Sequence, residues 1–363
     1  MHGRLHLLLF TLLPLIVITS LRATPTPPGQ PTTGPGGADY AHAGVNEQSH
    51  GSGAEQYWLF LPDTPRPDQA PVIIVTHGWG AMEPVNYLAW LRHLARKGNI
   101  VIYPRYQASL RTPTKDFVPN AVAAIRAAFT RLESADSPVK PDRERVATAG
   151  HSAGGLLAAN LAVALPEAGL PVPRAVLSIE PAKSWGENEN ARVPVLDLSK
   201  VAPSTLLLVV AGEDDTFVGD RDAKRVFHET TQVPLENKDF IVLMSDDHGS
   251  PELVAGHRAP ASPVTPILGE PTEERPKRKG LLAKAVRKRI AKKIGEGAEP
   301  DTGPAVVDAL DYYGTWKLLD ALCAAAFHGT HREFALGGGP EQTFMGQWSD
   351  GTPVTPLRST KTP

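Results

Sequence analysis

The chain has 363 residues, a formal net charge of −2 at pH 7, 41% hydrophobic residues and 21% charged residues. This balance excludes a disordered chain and a protein embedded in the membrane throughout, and it indicates a globular fold. Cys323 is the single cysteine, so an internal disulfide is excluded. No His/Cys spacing indicates a zinc site, and we predict neither a metal nor an organic cofactor.

The first residues are predicted to be a targeting segment outside the fold. Arg4 precedes an apolar run over residues 5–18, which is short for a membrane-spanning helix and typical of a signal-peptide core. No clean cleavage site follows, so an uncleaved membrane anchor is the alternative to secretion or export to the periplasm. We therefore predict export or anchoring by residues 1–23, an exposed Pro/Gly-rich linker over residues 24–38, and one domain over residues 39–363.

Strands and helices alternate along the rest of the chain. β-branched and apolar runs predict strands within residues 57–62, 71–80, 99–106, 145–150, 174–181, 204–215 and 239–249. Helical spacing of apolar residues predicts helices at residues 84–97, 116–133, 154–165, 220–230 and 308–327. The alternation indicates an α/β fold with a mostly parallel central sheet and helices on both faces. Functional loops of such sheets gather at the carboxyl ends of the strands.

Residues 258–305 interrupt this alternation and are predicted to be a basic insertion. From Arg275 to Lys293 there are ten Lys or Arg residues and no acidic residue, and apolar residues recur every four positions. A solvated, mobile insertion is the simpler interpretation. The alternative is an amphipathic helix, over Lys277–Lys293, that lies on an anionic membrane surface. We expect no nucleic-acid binding, because no aromatic residue interleaves the basic ones.

The sequence Gly150-His151-Ser152-Ala153-Gly154 has the pattern G-x-S-x-G between a predicted strand and an apolar helix. That context predicts a sharp turn that exposes a nucleophilic serine, with glycines where side chains would collide with neighbouring elements. The start of the helix beside Ser152 would favour developing negative charge. We therefore predict that Ser152 is a nucleophile.

An oxyanion hole needs two donors directed at one point. The backbone N–H of Ala153, directly after the nucleophile, is the first candidate. The second is the N–H of Trp79, in the glycine-rich sequence His77-Gly78-Trp79-Gly80 that follows an early strand. The indole ring of Trp79 would also line the acyl pocket.

A serine nucleophile needs a histidine base and a carboxylate that orients it, in the chain order Ser, Asp, His. Asp215 follows a hydrophobic strand and is the preferred acid, with Asp214 and Glu213 as near alternatives and Glu180, after the preceding strand, as a separate one. His248 follows the last core strand and is the predicted base, while His257, His228 and His328 have less suitable settings.

These motifs together resemble the α/β-hydrolase superfamily, and within it the dienelactone-hydrolase-like, chlorophyllase-like and polyester-hydrolase-like serine esterases. HGWG, GHSAGG and GEDDTFV carry the resemblance, which spans residues 57–327. It implies the α/β-hydrolase fold and cleavage of small or polymeric carboxylic esters through an acyl-enzyme. The resemblance implies that Ser152 is the nucleophile, Asp215 the acid and His248 the base. It implies that Trp79 and Ala153 are the oxyanion donors. The predicted substrate-contacting residues are His77, Gly78, Trp79, His151, Glu180 and Trp185.

Two other functions stay open at this level. The same residues would support peptidase or acyltransferase chemistry, because the fold hosts many reactions. A membrane-surface binding protein on a hydrolase scaffold is the non-enzymatic alternative, favoured by the apolar N-terminal run and the basic segment. The retained order of serine, acid and histidine argues against it.

Overall fold

The computed structural model describes residues 23–264 and 305–363, and within these ranges nine strands form one sheet. In chain order the strands are β1 (Gly44–His50), β2 (Tyr57–Asp63), β3 (Gln69–Thr76), β4 (Ile100–Pro104), β5 (Lys140–His151), β6 (Ala175–Ile179), β7 (Leu206–Gly212), β8 (Lys238–Leu243) and β9 (Arg358–Thr360). Their order across the sheet is β1-β2-β4-β3-β5-β6-β7-β8-β9. The pairs from β4 through β8 are parallel, whereas β1, β2 and β9 run antiparallel to their neighbours. The predicted mostly parallel sheet is confirmed.

The helices connect successive strands, as the alternation in the sequence predicts. They are α1 (Leu88–Arg96), α2 (Phe117–Glu133), α3 (Ala153–Glu167), α4 (Arg221–Glu229), α5 (Lys317–His328, preceded by π-helical turns over Leu310–Trp316), α6 (Arg332–Ala335) and α7 (Pro340–Thr343). Short 3₁₀ turns occupy Gly53–Glu55, Pro84–Asn86, Thr114–Asp116, Glu189–Ala191, Leu198–Lys200 and Leu235–Asn237. No helix in the described ranges is long and apolar enough to cross a bilayer.

Both faces of the sheet are covered, which explains why its strands are apolar almost throughout. Alternate residues of a strand point to opposite faces, and β3 shows the division clearly. Val72 and Ile74 pack in the layer formed with α2, α3 and α4. Ile73 and Val75 pack in the layer formed with α1 and α5. All four side chains are at most 1% exposed, so β3 is the centre of the core.

The strands that follow β3 in the chain lie on both sides of it in the sheet. β4 pairs with one edge of β3 and β5 with the other, so the connections leave the carboxyl end of β3 in opposite directions. Such a switch point opens a crevice in which ligands of α/β proteins commonly bind. The loop after β3 begins with His77 and Gly78, and Ser152 directly follows β5. The sheet order therefore brings two motifs distant in the sequence to one crevice.

Residues 24–38, predicted to be an exposed linker, are exposed at only some positions and contact the rest of the domain. Pro25 accepts a hydrogen bond from the N–H of Ser250 (2.8 Å), and Thr26 exchanges hydrogen bonds with Ser349. The N–H of Gly36 donates to the Asp320 carboxylate of α5 (2.9 Å). Proline and glycine content predicts an extended chain but says nothing about what the chain lies against.

The C-terminal tail, to which the sequence assigned no structure, completes the sheet. β9 pairs with β8, so the last parallel strand does not form the edge. The indole N–H of Trp348 donates to Asp246 in the loop after β8 (3.1 Å), and Trp348 is 1% exposed. Of the predicted basic insertion, only residues 258–264 and Ala305 are described. The predicted membrane-binding helix over Lys277–Lys293 and the targeting segment up to residue 22 lie outside the described residues.

Candidate functional site

Ser152 lies at a sharp turn between β5 and α3. Its backbone has φ 58° and ψ −123°, a conformation that L-residues with side chains rarely adopt and that persists only when the surrounding structure fixes it. A Cβ atom on Gly150 would collide with Gly154 and Thr76, and one on Gly154 would collide with the backbone of Thr76. The predicted need for glycine on both sides of the serine is therefore met by the packing of β5 and α3 on β3.

Three side chains from distant parts of the chain form a hydrogen-bonded row at this turn. The Oγ of Ser152 lies 2.9 Å from Nε2 of His257, and Nδ1 of His257 lies 2.8 Å from Oδ2 of Asp215. All three residues are at most 7% exposed. The other oxygen of Asp215 accepts hydrogen bonds from the N–H groups of Phe217 (3.0 Å) and Val218 (3.1 Å), which fix the carboxylate. This geometry allows an imidazole to accept a proton from a serine hydroxyl.

A second carboxylate lies beside the same imidazole. Oε2 of Glu180, directly after β6, is 3.4 Å from Nδ1 of His257, and the Glu180 side chain is fully buried. Burial alone lowers the pKa of His257. The hydrogen bonds and negative charges of Asp215 and Glu180 outweigh burial, and the pKa of His257 is raised above its usual value. Two acids therefore act on one histidine.

Glu180 also begins a hydrogen-bonded chain that ends at the glycine-rich loop. Its Oε2 lies 3.2 Å from Nε2 of His151, and Nδ1 of His151 lies 2.8 Å from the hydroxyl of Tyr87. The Tyr87 hydroxyl accepts the N–H of Gly78 (3.1 Å). Burial lowers the pKa of His151, although the hydrogen bond to Glu180 opposes this. A neutral His151 that donates to Glu180 and accepts from Tyr87 satisfies every partner in the chain.

The predicted oxyanion donors lie next to the nucleophile. Ala153 is the first residue of α3, and no acceptor within the described residues takes its backbone N–H. Gly78 lies against Ser152, since a Cβ on Gly78 would be 3.3 Å from the Cβ of Ser152. Trp79, the next residue in that loop, is 9% exposed and packs its ring on Phe117 (5.1 Å between centroids). The N–H of Ala153 thus lies at the start of a helix directly after the nucleophile, and the glycine-rich loop contacts Ser152 through Gly78.

Comparison with known proteins identifies the fold. Residues 74–223, which include the loop after β3, the serine turn and Asp215, match the sequence profile of a family with the alpha/beta hydrolase fold. The chain has the α/β-hydrolase fold. No curated protein matches this sequence, whereas 879 chains of solved structures resemble the structure.

One of those structures is a mutant of the esterase rPPE. It shares 17% sequence identity with this chain, at a TM-score of 0.43, over 56% of this chain and 72% of the esterase chain. Nothing about substrate or mechanism follows from a likeness at that level.

The prediction that His248 reaches Ser152 is wrong. His248 is exposed, and its Nε2 lies 2.9 Å from Asp350 of the C-terminal tail. The cause is a small hairpin after β8, in which Asp246 and Leu253 exchange backbone hydrogen bonds and leave His248 at the tip. The chain then returns over the end of β7 and delivers His257. A signal was present in the sequence: His248 stands in the all-polar run SDDHGS, whereas His257 follows the apolar run LVA.

The two other candidate acids after β7, Glu213 and Asp214, contact Ser245. Asp214 accepts a hydrogen bond from the hydroxyl of Ser245, and Glu213 accepts one from the N–H of Ser245 (3.2 Å). Both are exposed, and within the described residues neither carboxylate forms a hydrogen bond with His257. Asp215 and Glu180 are therefore the two acids that contact the histidine.

Two of the predicted substrate contacts are support residues instead. His77 is fully buried, its ring nitrogens lie 2.8 Å and 2.7 Å from the carbonyl oxygens of Gly78 and Arg105, and it stacks on Tyr106. Burial lowers its pKa to about 4, and a neutral ring donates to only one of these two carbonyls. Both ring nitrogens of His151 are likewise occupied by Tyr87 and Glu180. Neither histidine has a nitrogen free for a substrate.

Trp185 lies in the loop after β6 and is partly exposed, as a residue at the mouth of the site should be. Its neighbour Lys183 was not singled out by the sequence. The ammonium of Lys183 stacks on the Trp185 ring at 4.0 Å from the centroid.

His151, Glu180 and His257 offer ligand atoms within 4.8 Å of one another, a spacing that a metal ion could bridge. The same atoms already satisfy one another by hydrogen bonds, which accounts for their proximity without a metal. That the protein works without a metal or an organic cofactor stays a prediction.

Proposed function

We propose that this protein is a serine hydrolase that cleaves carboxylic esters through an acyl-enzyme. The observation that carries the proposal is the row from Ser152 Oγ through His257 to Asp215, with distances of 2.9 and 2.8 Å. Support comes also from the strained turn at Ser152 and from the fold. The same constellation of serine, histidine and acid performs acyl transfer on unrelated folds.

In the proposed reaction, Ser152 and His257 each act in acylation and again in deacylation. Ser152 Oγ attacks the ester carbonyl carbon while its proton passes to Nε2 of His257, and the carbonyl oxygen gains the negative charge. The N–H groups of Ala153 and Trp79 are the proposed donors that would stabilise that charge. His257 then returns the proton to the alcohol as the carbon–oxygen bond breaks. In the second half, water loses a proton to His257 and attacks the acyl-enzyme, which releases the acid and restores the serine.

Asp215 and Glu180 hold the imidazole so that Nδ1 carries the hydrogen and Nε2 faces the serine. They also stabilise the imidazolium that forms during each half-reaction. Because the base must be neutral to accept a proton, and its pKa is raised, we propose that activity increases toward alkaline pH.

The test compares replacements at the two histidines and at the serine. Ser152→Ala and His257→Gln should each lower kcat for 4-nitrophenyl butyrate by at least about 10³-fold. His248→Gln, which changes an exposed residue paired with Asp350, should retain the wild-type rate. A fluorophosphonate probe should label the wild type but not Ser152→Ala.

Circular dichroism and thermal melting show whether each variant is folded. Ser199→Ala, on a short turn outside the site, is the matched control for serine labelling. Equal labelling of the wild type and Ser152→Ala would overturn the proposal. Loss of activity in His248→Gln with retention in His257→Gln would restore the base that the sequence predicted.

A further inference from the structure

A buried glutamine in the loop after β4 is hydrogen-bonded to the glycine-rich loop beside the nucleophile. Gln107 is fully buried, and its Oε1 accepts the N–H of Gly80 at 3.0 Å. Gly80 lies two residues after Gly78, which contacts Ser152. The oxygen of the amide must face Gly80, because the amide nitrogen is a donor and cannot accept an N–H. The proposed reaction does not yet use Gln107.

The residues that Gln107 contacts form a tight turn. The N–H of Ala81 donates to the carbonyl of Gly78 (3.0 Å). Trp79 and Gly80 are therefore the two central residues of the turn. Gly80 has φ 83°, the left-handed value that a type II turn requires at its third residue. The N–H of Gly80 belongs to the central peptide, whose orientation distinguishes type II from type I turns. By accepting that N–H, Gln107 fixes the central peptide.

The turn is held on both sides of Trp79. The hydroxyl of Tyr87 accepts the N–H of Gly78 (3.1 Å), and Oε1 of Gln107 accepts the N–H of Gly80. Because each peptide unit is planar, fixing the two neighbouring N–H groups limits the directions open to the N–H of Trp79. A donor stabilises a developing charge best when its direction is set before the reaction begins. The two side chains therefore restrict the loop that carries a proposed oxyanion donor.

Contacts of Tyr106 pack the loop after β4 against the glycine-rich loop. The Tyr106 hydroxyl donates to the carbonyl of His77, and the two rings stack with 4.1 Å between their centroids. Asn120 of α2 donates to the carbonyl of Tyr106 (3.1 Å). These contacts hold the backbone directly before Gln107 and so place its side chain at the turn.

Two local features at Gln107 are unfavourable by themselves. Its Nε2 is buried and has no hydrogen-bond acceptor within the described residues. The preceding residue, Tyr106, has φ 37°, which a bulky side chain rarely adopts. An unpaired buried donor and a strained backbone both lower stability, and such features collect at functional sites. An apolar side chain of the same size would avoid the unpaired donor, so stability alone does not account for an amide here.

We propose that Gln107 is a positioning residue for the oxyanion hole. Its Oε1 holds the N–H of Gly80, and the turn then directs the N–H of Trp79 at the ester oxygen as that oxygen gains charge. Gln107 does not touch the substrate. Its contribution is therefore made in the transition state and not in the binding of the neutral ester. The inference rests on the proposed esterase activity and names a residue that sets the geometry of its oxyanion hole.

Two substitutions test the contact with Gly80. Gln107→Met keeps nearly the same length but has no amide, and Gln107→Asn keeps the amide on a stem that is one carbon shorter. Each should lower kcat for 4-nitrophenyl butyrate by about 10- to 100-fold, somewhat less than the loss of a whole oxyanion donor. KM should change by less than about twofold, because the neutral ester does not use the contact.

Butaneboronic acid separates positioning from a general loss of structure. The oxygen of Ser152 adds to boron while its proton passes to His257, and the adduct carries a negative tetrahedral group like that of the transition state. The Ki of the boronic acid should rise in proportion to KM/kcat across the wild type and both variants. Gln107→Met should melt within about 2 °C of the wild type, since loss of the unpaired Nε2 offsets loss of the bond to half-buried Gly80.

Gln342→Met is the matched control, because Gln342 is also fully buried. Gln342 lies in α7 and donates to Asp239 at the amino end of β8 and to the carbonyl of Ala335. Ser152, in contrast, follows the carboxyl end of β5. The control variant should melt at a lower temperature than the wild type but keep the wild-type kcat and the wild-type Ki.

Two results would overturn the role of Gln107 while the proposed function stands. One is an unchanged kcat in Gln107→Met, and the other is a fall in kcat with an unchanged Ki for the boronic acid. If the wild type neither cleaves the ester nor reacts with a fluorophosphonate, the proposed function fails, and the role of Gln107 fails with it.

Discussion

Replacing Glu180 with Gln should move the acid limb of the pH–rate profile to lower pH. Glu180 is fully buried and its Oε2 lies 3.4 Å from Nδ1 of His257, where its charge favours the protonated imidazole. Only the neutral imidazole can accept the serine proton, so activity is lost as the pH falls through the pKa of His257. Glutamine keeps an oxygen that can accept from Nε2 of His151 but removes the charge. The pKa of His257 should therefore fall toward its ordinary value.

The size of the effect follows from the distance. Two unit charges 3.4 Å apart interact by about 5 kcal/mol at an effective dielectric constant of about 20. This is an upper bound, because a neighbouring opposite charge ordinarily shifts a pKa by about 1–3 units and Glu180 shares its carboxylate with His151. We expect the limb to move down by about 1 unit. At a pH well below the limb, kcat/KM of the variant should then exceed that of the wild type by about tenfold.

The assay is kcat/KM for a neutral ester from pH 6 to pH 10.5, at constant ionic strength. Asp214→Asn is the matched control, because Asp214 is exposed, hydrogen-bonded to Ser245 and expected to leave the limb in place. Asp215→Asn should lower the plateau by about 10⁴-fold, the loss expected when the orienting acid is removed. An unmoved limb in Glu180→Gln, or a shift to higher pH, would refute the electrostatic reasoning. A collapsed plateau in Glu180→Gln with a retained one in Asp215→Asn would make Glu180 the orienting acid.

Two further variants test the packing around the serine turn. Gly154→Ala would drive a methyl group into the backbone of Thr76 and should lower the free energy of unfolding by about 3 kcal/mol or prevent folding. Gly29→Ala, with no atom within 4 Å of the new methyl group, is the control and should leave stability unchanged. Thermal melts compare the two variants, and an unchanged melting temperature of Gly154→Ala would contradict the packing argument. Tyr87→Phe removes the hydroxyl between the glycine-rich loop and His151, leaves two buried groups unpaired, and should cost about 1–3 kcal/mol in urea unfolding together with a fall in kcat. A wild-type midpoint and rate in Tyr87→Phe would show that this hydroxyl is not needed.

The parts of the site that sequence predicted are those encoded locally. The serine turn depends on five consecutive residues between a strand and a helix, and the strand end supplies Asp215. The histidine could not be chosen in the same way, because His248 and His257 lie in one long loop after the last core strand. Which of them faces the serine is set by the hairpin that Asp246 and Leu253 close, a non-local contact.

The fold was predictable for a related reason. Central strands are buried on both faces and read as apolar runs, so the parallel core was visible in the sequence. β1 and β9 were missed because they lie at the sheet edges, where β1 is partly exposed and polar and β9 has only three residues. The chain Tyr87–His151–Glu180 also escaped detection, since its members are far apart in sequence and meet only in the folded core.

The contacts of residues 25–36 bear on how the folded domain should be expressed. Starting the chain at Asp39, as its composition suggests, would deprive Ser250 of the carbonyl of Pro25 and Ser349 of both bonds to Thr26. The Asp320 carboxylate on α5 would lose the N–H of Gly36. A shortened gene that begins at Ala23 preserves this N-terminal strap, which ties the start of the chain to α5, to the C-terminal tail and to the loop that leads to His257.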